Sequence, residues 1–202
     1  LHVDRVRCLA VKLAKMDPSK TFDLEMVQLA ALLHDVGDFK FIEHGETGHQ
    51  VITRILSGEN YPAEKIAGIL EIVDSVSYRH ELEHGCSPDR IKHWNEFTVV
   101  QDADRLDAIG AVGVARCFAY NGRKNLPFYI PGEKPVVDMT ADLCNAQTKK
   151  NGGSARFHFD EKLLKLKDMM KSVGGRAEAE RRQNFMHSFL ENFDQDCDLD
   201  LY

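Results

Sequence analysis

No apolar run in the 202 residues approaches the ~20 residues a membrane-spanning helix needs, so no membrane partner is expected. There is no surplus of positive charge either: 26 Lys and Arg stand against 32 Asp and Glu, a net charge of −6. Gripping a nucleic-acid backbone takes clustered cations, so nucleic acid is disfavoured as a partner. A small anionic substrate stays open where a local pocket is positive or metal-loaded. The cysteines, Cys8, Cys86, Cys117, Cys144 and Cys197, lack Cys-x-x-Cys spacing. That odd, scattered set reads as reduced thiols, neither a disulfide framework nor a zinc finger. With no signal peptide apparent, a cytoplasmic location is the expectation, although the chain opens at Leu1 and what precedes it is left open. Sustained alternation of apolar and polar residues is missing as well, so strands should be few.

What is present is helical periodicity. Met26, Leu29, Ala30 and Leu33 follow the i, i+3, i+4, i+7 rule, with Asp23 placed to cap. A helix over 48–56 carries Val51, Ile52 and Ile55, and 57–62 stops it. Pro62 suits the first turn of the next helix, whose apolar set is Ile66, Ile69, Leu70 and Val73. Pro88 is expected to open a short helix, and 96–120 reads as one long helix. The stretch 121–153 holds Gly122, Pro127, Pro131, Gly132, Pro135, Gly152 and Gly153, an irregular connection of a length usual for lids and binding loops. Helices over 159–173 and 176–193 follow, with Leu163, Leu164, Leu166 and Met170 packing back on the body and the lysines of 162–171 solvating other faces. An acidic tail over 194–200 is expected to be solvated. The expected organisation is therefore a helical core over 1–120, a loop or lid over 121–153, and C-terminal helices over 154–202.

Chemistry concentrates in three distant segments. His34-Asp35 ends the apolar run Leu29-Ala-Ala-Leu-Leu33, His2 stands near the start, and Gln101-Asp-Ala-Asp-Arg-Leu-Asp107 follows about 70 residues later. Together they can offer imidazole and carboxylate ligands to one divalent ion. Adjacent residues diverge by about 100° on a helix, so His34 and Asp35 reach one ion only where the helix is ending or the ion lies between helices. Asp104 and Asp107, three apart, share a stripe with Val100 and Ala111, and a carboxylate on a core-facing stripe is costly unless paired or ligating. Asp102 falls on another face, where Arg105 is placed to pair with it. This donor mixture suits Mn, Fe, Co, Ni or Zn, and with water also Mg.

His2, His34-Asp35 and Asp104, in this order, resemble the H…HD…D signature of the HD-domain metal-dependent phosphohydrolase superfamily. The likeness extends to His2-Val-Asp-Arg-Val6, to Ala30-Leu-Leu-His-Asp-Val-Gly37 and to Asp102-Ala-Asp-Arg-Leu-Asp-Ala-Ile-Gly-Ala-Val-Gly-Val-Ala-Arg116, covering about residues 1–120. Phe157-His-Phe-Asp-Glu-Lys-Leu-Leu164 is similar to a segment of small HD hydrolases, some of them nucleotide pyrophosphohydrolases. The resemblance implies an all-α fold, an HD-domain helical bundle whose metal sits between helices, with His2, His34, Asp35 and Asp104 as ligands. Where many members carry lysine three residues after the motif aspartate, this chain has Asp38, with Lys40 two places later. Asp38 resembles the acidic residue that some nucleotidase members carry there.

On this reading one divalent ion activates water for attack on a phosphate. Asp38 orients or deprotonates the water, Lys40 and Lys162 hold substrate oxygens, and Asp107 contributes to substrate binding. His44, His49 and His80 are the candidates for a second metal, against the blander reading of exposed histidines. The expected activity is hydrolysis of a small phosphorylated substrate, a nucleotide, in the manner of a nucleoside triphosphate pyrophosphohydrolase. The alternatives are a 5′-nucleotidase, a phosphodiesterase, or a non-catalytic metal- or nucleotide-binding regulatory module; a homo-oligomer is compatible with each.

Overall fold

The computed structural model describes residues 1–36, 46–134 and 153–197. Every regular element among them is helical, and none is long and apolar enough to cross a membrane. The chain forms two compact units, Leu1–Asp104 with Lys171–Gly174, and Arg105–Met170 with Gly175–Tyr202.

In the first unit, α1 (His2–Lys15) packs on α2 (Leu24–Leu33), α2 on α4 (Ala63–Val76), and α4 on both α3 (Gly48–Gly58) and α5 (Tyr78–His84). Most of α6 (Trp94–Asp107) completes it. Val6, Ala10 and Leu13 of α1, Ile66, Ile69 and Ile72 of α4, and Phe97 and Val100 of α6 are buried. Because α2 meets α1 and α4, its buried stripe is broader than the periodicity predicts: Val27 and Ala31 are buried with Met26 and Ala30, while Leu29 and Leu33 are half-buried. Asp23 caps α2, accepting from the Glu25 and Met26 amides at 3.1 Å each, a contribution of ~1 kcal/mol. Its own amide donates to Glu96 Oε1 at 2.8 Å, tying the start of α2 to α6. Pro62 stands just outside α4, as its N-cap residue. Pro88 opens no helix. The Arg90 amide turns back to the Ser87 carbonyl at 3.1 Å, and the Glu71 carboxylate takes the Lys92 and His93 amides, so helix resumes only at Trp94.

The second unit contains α7 (Gly110–Arg123), α8 (Ala155–Glu161), a 3₁₀ helix (Leu163–Met169) and most of α9 (Val173–Cys197). The single helix expected over 96–120 is broken between α6 and α7. Ile109 is extended and Gly110 has φ +74°, the left-handed region that favours glycine. Arg182 then donates to the Leu106 carbonyl, which also accepts from the Ile109 amide at 3.2 Å, so the last turn of α6 is closed at the break. Phe118, Phe159, Phe189 and Phe193 cluster with ring centroids 5.3–6.3 Å apart in tilted, edge-to-face and stacked pairs, the geometries aromatic rings prefer. The expected helix over 159–173 divides because Lys162 leaves helical geometry at φ −138°. The acidic tail differs too: α9 runs through Cys197, and Asp194 accepts two hydrogen bonds from Arg156.

Candidate metal centre

Helix α2 stops at Leu33, and His34, Asp35 and Val36 form a turn in which the Val36 amide donates to the Leu33 carbonyl at 2.9 Å. The helix is ending there, and the two side chains bring ligating atoms to one point. His34 Nε2 lies 3.5 Å from Asp35 Oδ1 and 3.5 Å from Asp104 Oδ1. His2, at the first position of α1, brings its Nε2 within 3.6 Å of Asp35 Oδ2 and 3.4 Å of Asp104 Oδ1. The two imidazoles meet edge to face, centroids 5.2 Å apart. Among the described residues, ligating atoms of His2, His34 and Asp35 form a group within 4.8 Å of one another. Asp104 joins it from α6 through its contacts with both rings.

Burial separates the roles. The His34 side chain is only 4% exposed, whereas that of Asp35 is 47% exposed, leaving one side of the group open to solvent as a catalytic metal site requires. His34 Nδ1 lies 2.8 Å from the Ala31 carbonyl oxygen. A carbonyl only accepts, so Nδ1 carries a proton, and Nε2 is the ring nitrogen turned toward the carboxylates. That Nε2 is buried without a hydrogen-bond partner among the described residues, a cost of ~1–3 kcal/mol that a cation would relieve. A backbone carbonyl holding the far ring nitrogen is how ligating histidines are ordinarily oriented. Burial works to lower the pKa of His34, but the Asp104 and Asp35 carboxylates outweigh it and raise the group above its ordinary value. Burial likewise works to raise Asp104, and the facing His2 and His34 rings overcome it, holding the carboxylate below its usual range. An ionised carboxylate and an oriented imidazole fit a divalent ion.

The HD-domain family pattern matches residues 1–109, more than half of the chain. The chain belongs to the HD-domain family. The Bacillus subtilis protein YpgQ is 34% identical over 195 residues, which is 96% of this chain and 82% of YpgQ. YpgQ has been crystallised in complex with ADP, and this HD-domain chain matches that structure with a TM-score of 0.73 at 32% identity, covering 98% of this chain and 88% of that one. A Lactobacillus plantarum protein of known structure gives a TM-score of 0.79 at 35% identity, over 96% of this chain and 84% of its own. An HD-superfamily hydrolase from Bacillus thuringiensis gives 0.69 at 31%, over 98% and 85%. The all-α HD fold and the superfamily resemblance are thereby established.

The remaining sequence candidates of this HD-domain chain fall elsewhere. Asp38, Lys40 and His44 lie outside the described residues. Asp107 belongs to the second unit, where its buried carboxylate meets Arg116 Nη1 at 2.6 Å, and Lys162 ends α8 in the same unit. Ala111, expected on one stripe with Asp104, is exposed on α7 because the helix breaks before it. Of the candidates for a second ion, His49 Nε2 sits 2.6 Å from Asp74 Oδ1, and His80 stacks on His84 at 4.6 Å. Burial, then the neighbouring His84, lowers the pKa of His80. Neither His49 nor His80 joins the candidate metal-binding group found among the described residues.

Two residues are held differently from their sequence expectation. Asp102, expected on another face and within reach of Arg105, is fully buried. It accepts from the Lys171 amide at 3.0 Å, the Ser172 amide at 2.7 Å and the Ser172 hydroxyl at 2.7 Å, while Arg105 Nη1 donates to the Met169 carbonyl at 3.1 Å. Lys171, grouped with solvating lysines, is nearly covered and pairs with Glu81 at 3.1 Å. Ser172 immediately before the apolar start of α9 is a capping signal that could have located this junction.

Proposed function

We propose that this HD-domain chain is a metal-dependent phosphohydrolase that cleaves a phosphate or diphosphate linkage in a small nucleotide. The observation that carries the reading is His34 Nε2, buried and without a hydrogen-bond partner among the described residues, in front of Asp35, Asp104 and His2. A divalent ion held by these four residues would supply Lewis acidity, activating water and stabilising charge that develops on phosphoryl oxygens. The protein's own part is to present the ion with an oriented imidazole and an ionised Asp104, and to leave the Asp35 side accessible to substrate. Asp38 is assigned the proton of the attacking water, and Lys40 and Lys162 are assigned contacts to substrate phosphate.

Support for a nucleotide comes from YpgQ, which has been crystallised with ADP. The favoured reaction is attack of water on a nucleoside triphosphate to give a monophosphate and pyrophosphate; the runner-up is release of phosphate from a nucleoside monophosphate. Cytoplasmic residence accords with the free thiols of Cys8, Cys86, Cys117 and Cys197. The deciding experiment is a screen of Mn²⁺, Co²⁺ and Mg²⁺ against deoxynucleoside mono- and triphosphates, with phosphate and pyrophosphate detected separately. Pyrophosphate from triphosphates supports the favoured reading, phosphate from monophosphates selects the nucleotidase, and no product with any ion overturns both.

A further inference from the structure

Four residues distant in sequence from the rest of the first unit, Lys171–Gly174, belong to it. They are fastened at three points. The Asp102 carboxylate takes the Lys171 and Ser172 amides and the Ser172 hydroxyl, all at 2.7–3.1 Å. The Lys171 ammonium reaches Glu81 of α5 at 3.1 Å and lies 5.9 Å from the ring centre of buried Phe97 on α6. Gly174 seats against α1, since a Cβ there would lie 3.1 Å from Leu13 Cδ2 and 3.2 Å from Met16 Sδ. The segment thus touches α1 and α6, the helices that carry His2 and Asp104. Asp102 and Asp104 leave α6 about 200° apart, one toward this segment and one toward the histidines.

We propose that Lys171–Gly174 is a clasp that sets the placement of the metal ligands, with Asp102 as its central positioning residue. The inference rests on the metal reading above. A buried carboxylate accepting three hydrogen bonds fixes the rotation of α6 about its axis, and a helix held on one face cannot let the opposite face drift. Losing Asp102 frees α6 to turn, which moves Asp104 out of reach of His2 and His34 without altering any ligand. Linkage makes the effect reciprocal: a metal that binds the clasped arrangement better must also tighten the clasp.

The test is Mn²⁺ binding by calorimetry, together with amide hydrogen exchange at Lys171 and Ser172 with and without Mn²⁺. Asp102→Ala is expected to weaken Mn²⁺ binding ~10-fold, the low end of what removing supporting partners of metal ligands costs. Ser172→Ala, which deletes one bond and keeps the amides, is expected to weaken it ~3-fold and decides the matter if Asp102→Ala does not fold. Ser154→Ala removes a helix cap in the second unit and controls for general destabilisation, with unchanged affinity expected. Mn²⁺ is expected to slow exchange at both amides in the unaltered chain. Wild-type affinity in both clasp variants, or exchange indifferent to Mn²⁺, overturns the clasp alone, whereas no Mn²⁺ binding by the unaltered chain overturns the metal reading and the clasp with it.

Discussion

His34 Nδ1 lies 2.8 Å from the carbonyl oxygen of Ala31, one turn earlier in the chain. This bond decides which nitrogen of the ring is available. With Nδ1 held by the backbone, Nε2 faces Asp104 and Asp35, and a helix-end histidine is oriented as the proposed metal centre requires.

Asp35→Ala removes the more exposed carboxylate of the group and leaves the core untouched. Divalent-metal affinity should fall at least ~100-fold and turnover should vanish, while thermal stability of the metal-free protein stays within ~0.5 kcal/mol, as for other exposed positions. Calorimetric titration and a denaturation curve check the two halves. Retained metal affinity would remove Asp35 from the ligand set.

Asp38→Ala should behave differently. As the proposed acceptor of the water proton, its loss should leave metal affinity within about twofold and lower kcat by ~10²–10⁴. Full activity in this variant would show that the base lies elsewhere.

His158 provides a pH prediction independent of the metal. Burial foremost, then nearby Lys162, pushes its pKa down to about 4 from 6.5. Between those values the unfolded chain binds the proton and the folded chain does not. Stability from this group is therefore complete above pH 6.5 and declines as pH falls toward 4, by up to ~3 kcal/mol. Chemical denaturation at pH 7 and pH 4.5 should show a drop that His158→Gln reduces; an identical drop in the variant would contradict the assignment.

Gly110→Ala tests the break between α6 and α7. Its φ of +74° disfavours any side chain, and a Cβ would come within 2.8 Å of Arg182 Cγ. A loss of ~1–3 kcal/mol is expected, read from the shift of the urea midpoint. An unchanged midpoint would mean that the junction re-forms without strain.

Much of this arrangement was legible in the sequence, because helical spacing reports which face is apolar and Asp23 advertises a cap. The convergence of His2, His34, Asp35 and Asp104 was legible for a chemical reason: Asp104 sits on a stripe where an unpaired carboxylate would be costly. Asp102 was misread because its partners, the Lys171 and Ser172 amides, are backbone groups some 70 residues away, and no side-chain pattern announces a backbone donor. The break at Ala108 and Ile109 was hidden in the same way. Gly110 is unremarkable in a run of small residues until its left-handed φ and the Arg182 hydrogen bond to Leu106 are seen.

The most direct test of the metal centre is a count of bound ions. Protein dialysed against Mn²⁺, Co²⁺ or Zn²⁺ and then freed of unbound metal should carry about one divalent ion per chain by elemental analysis, and His34→Ala should carry none. No retained ion in the unaltered chain, or an equal count in His34→Ala, would contradict a centre built on His34 Nε2.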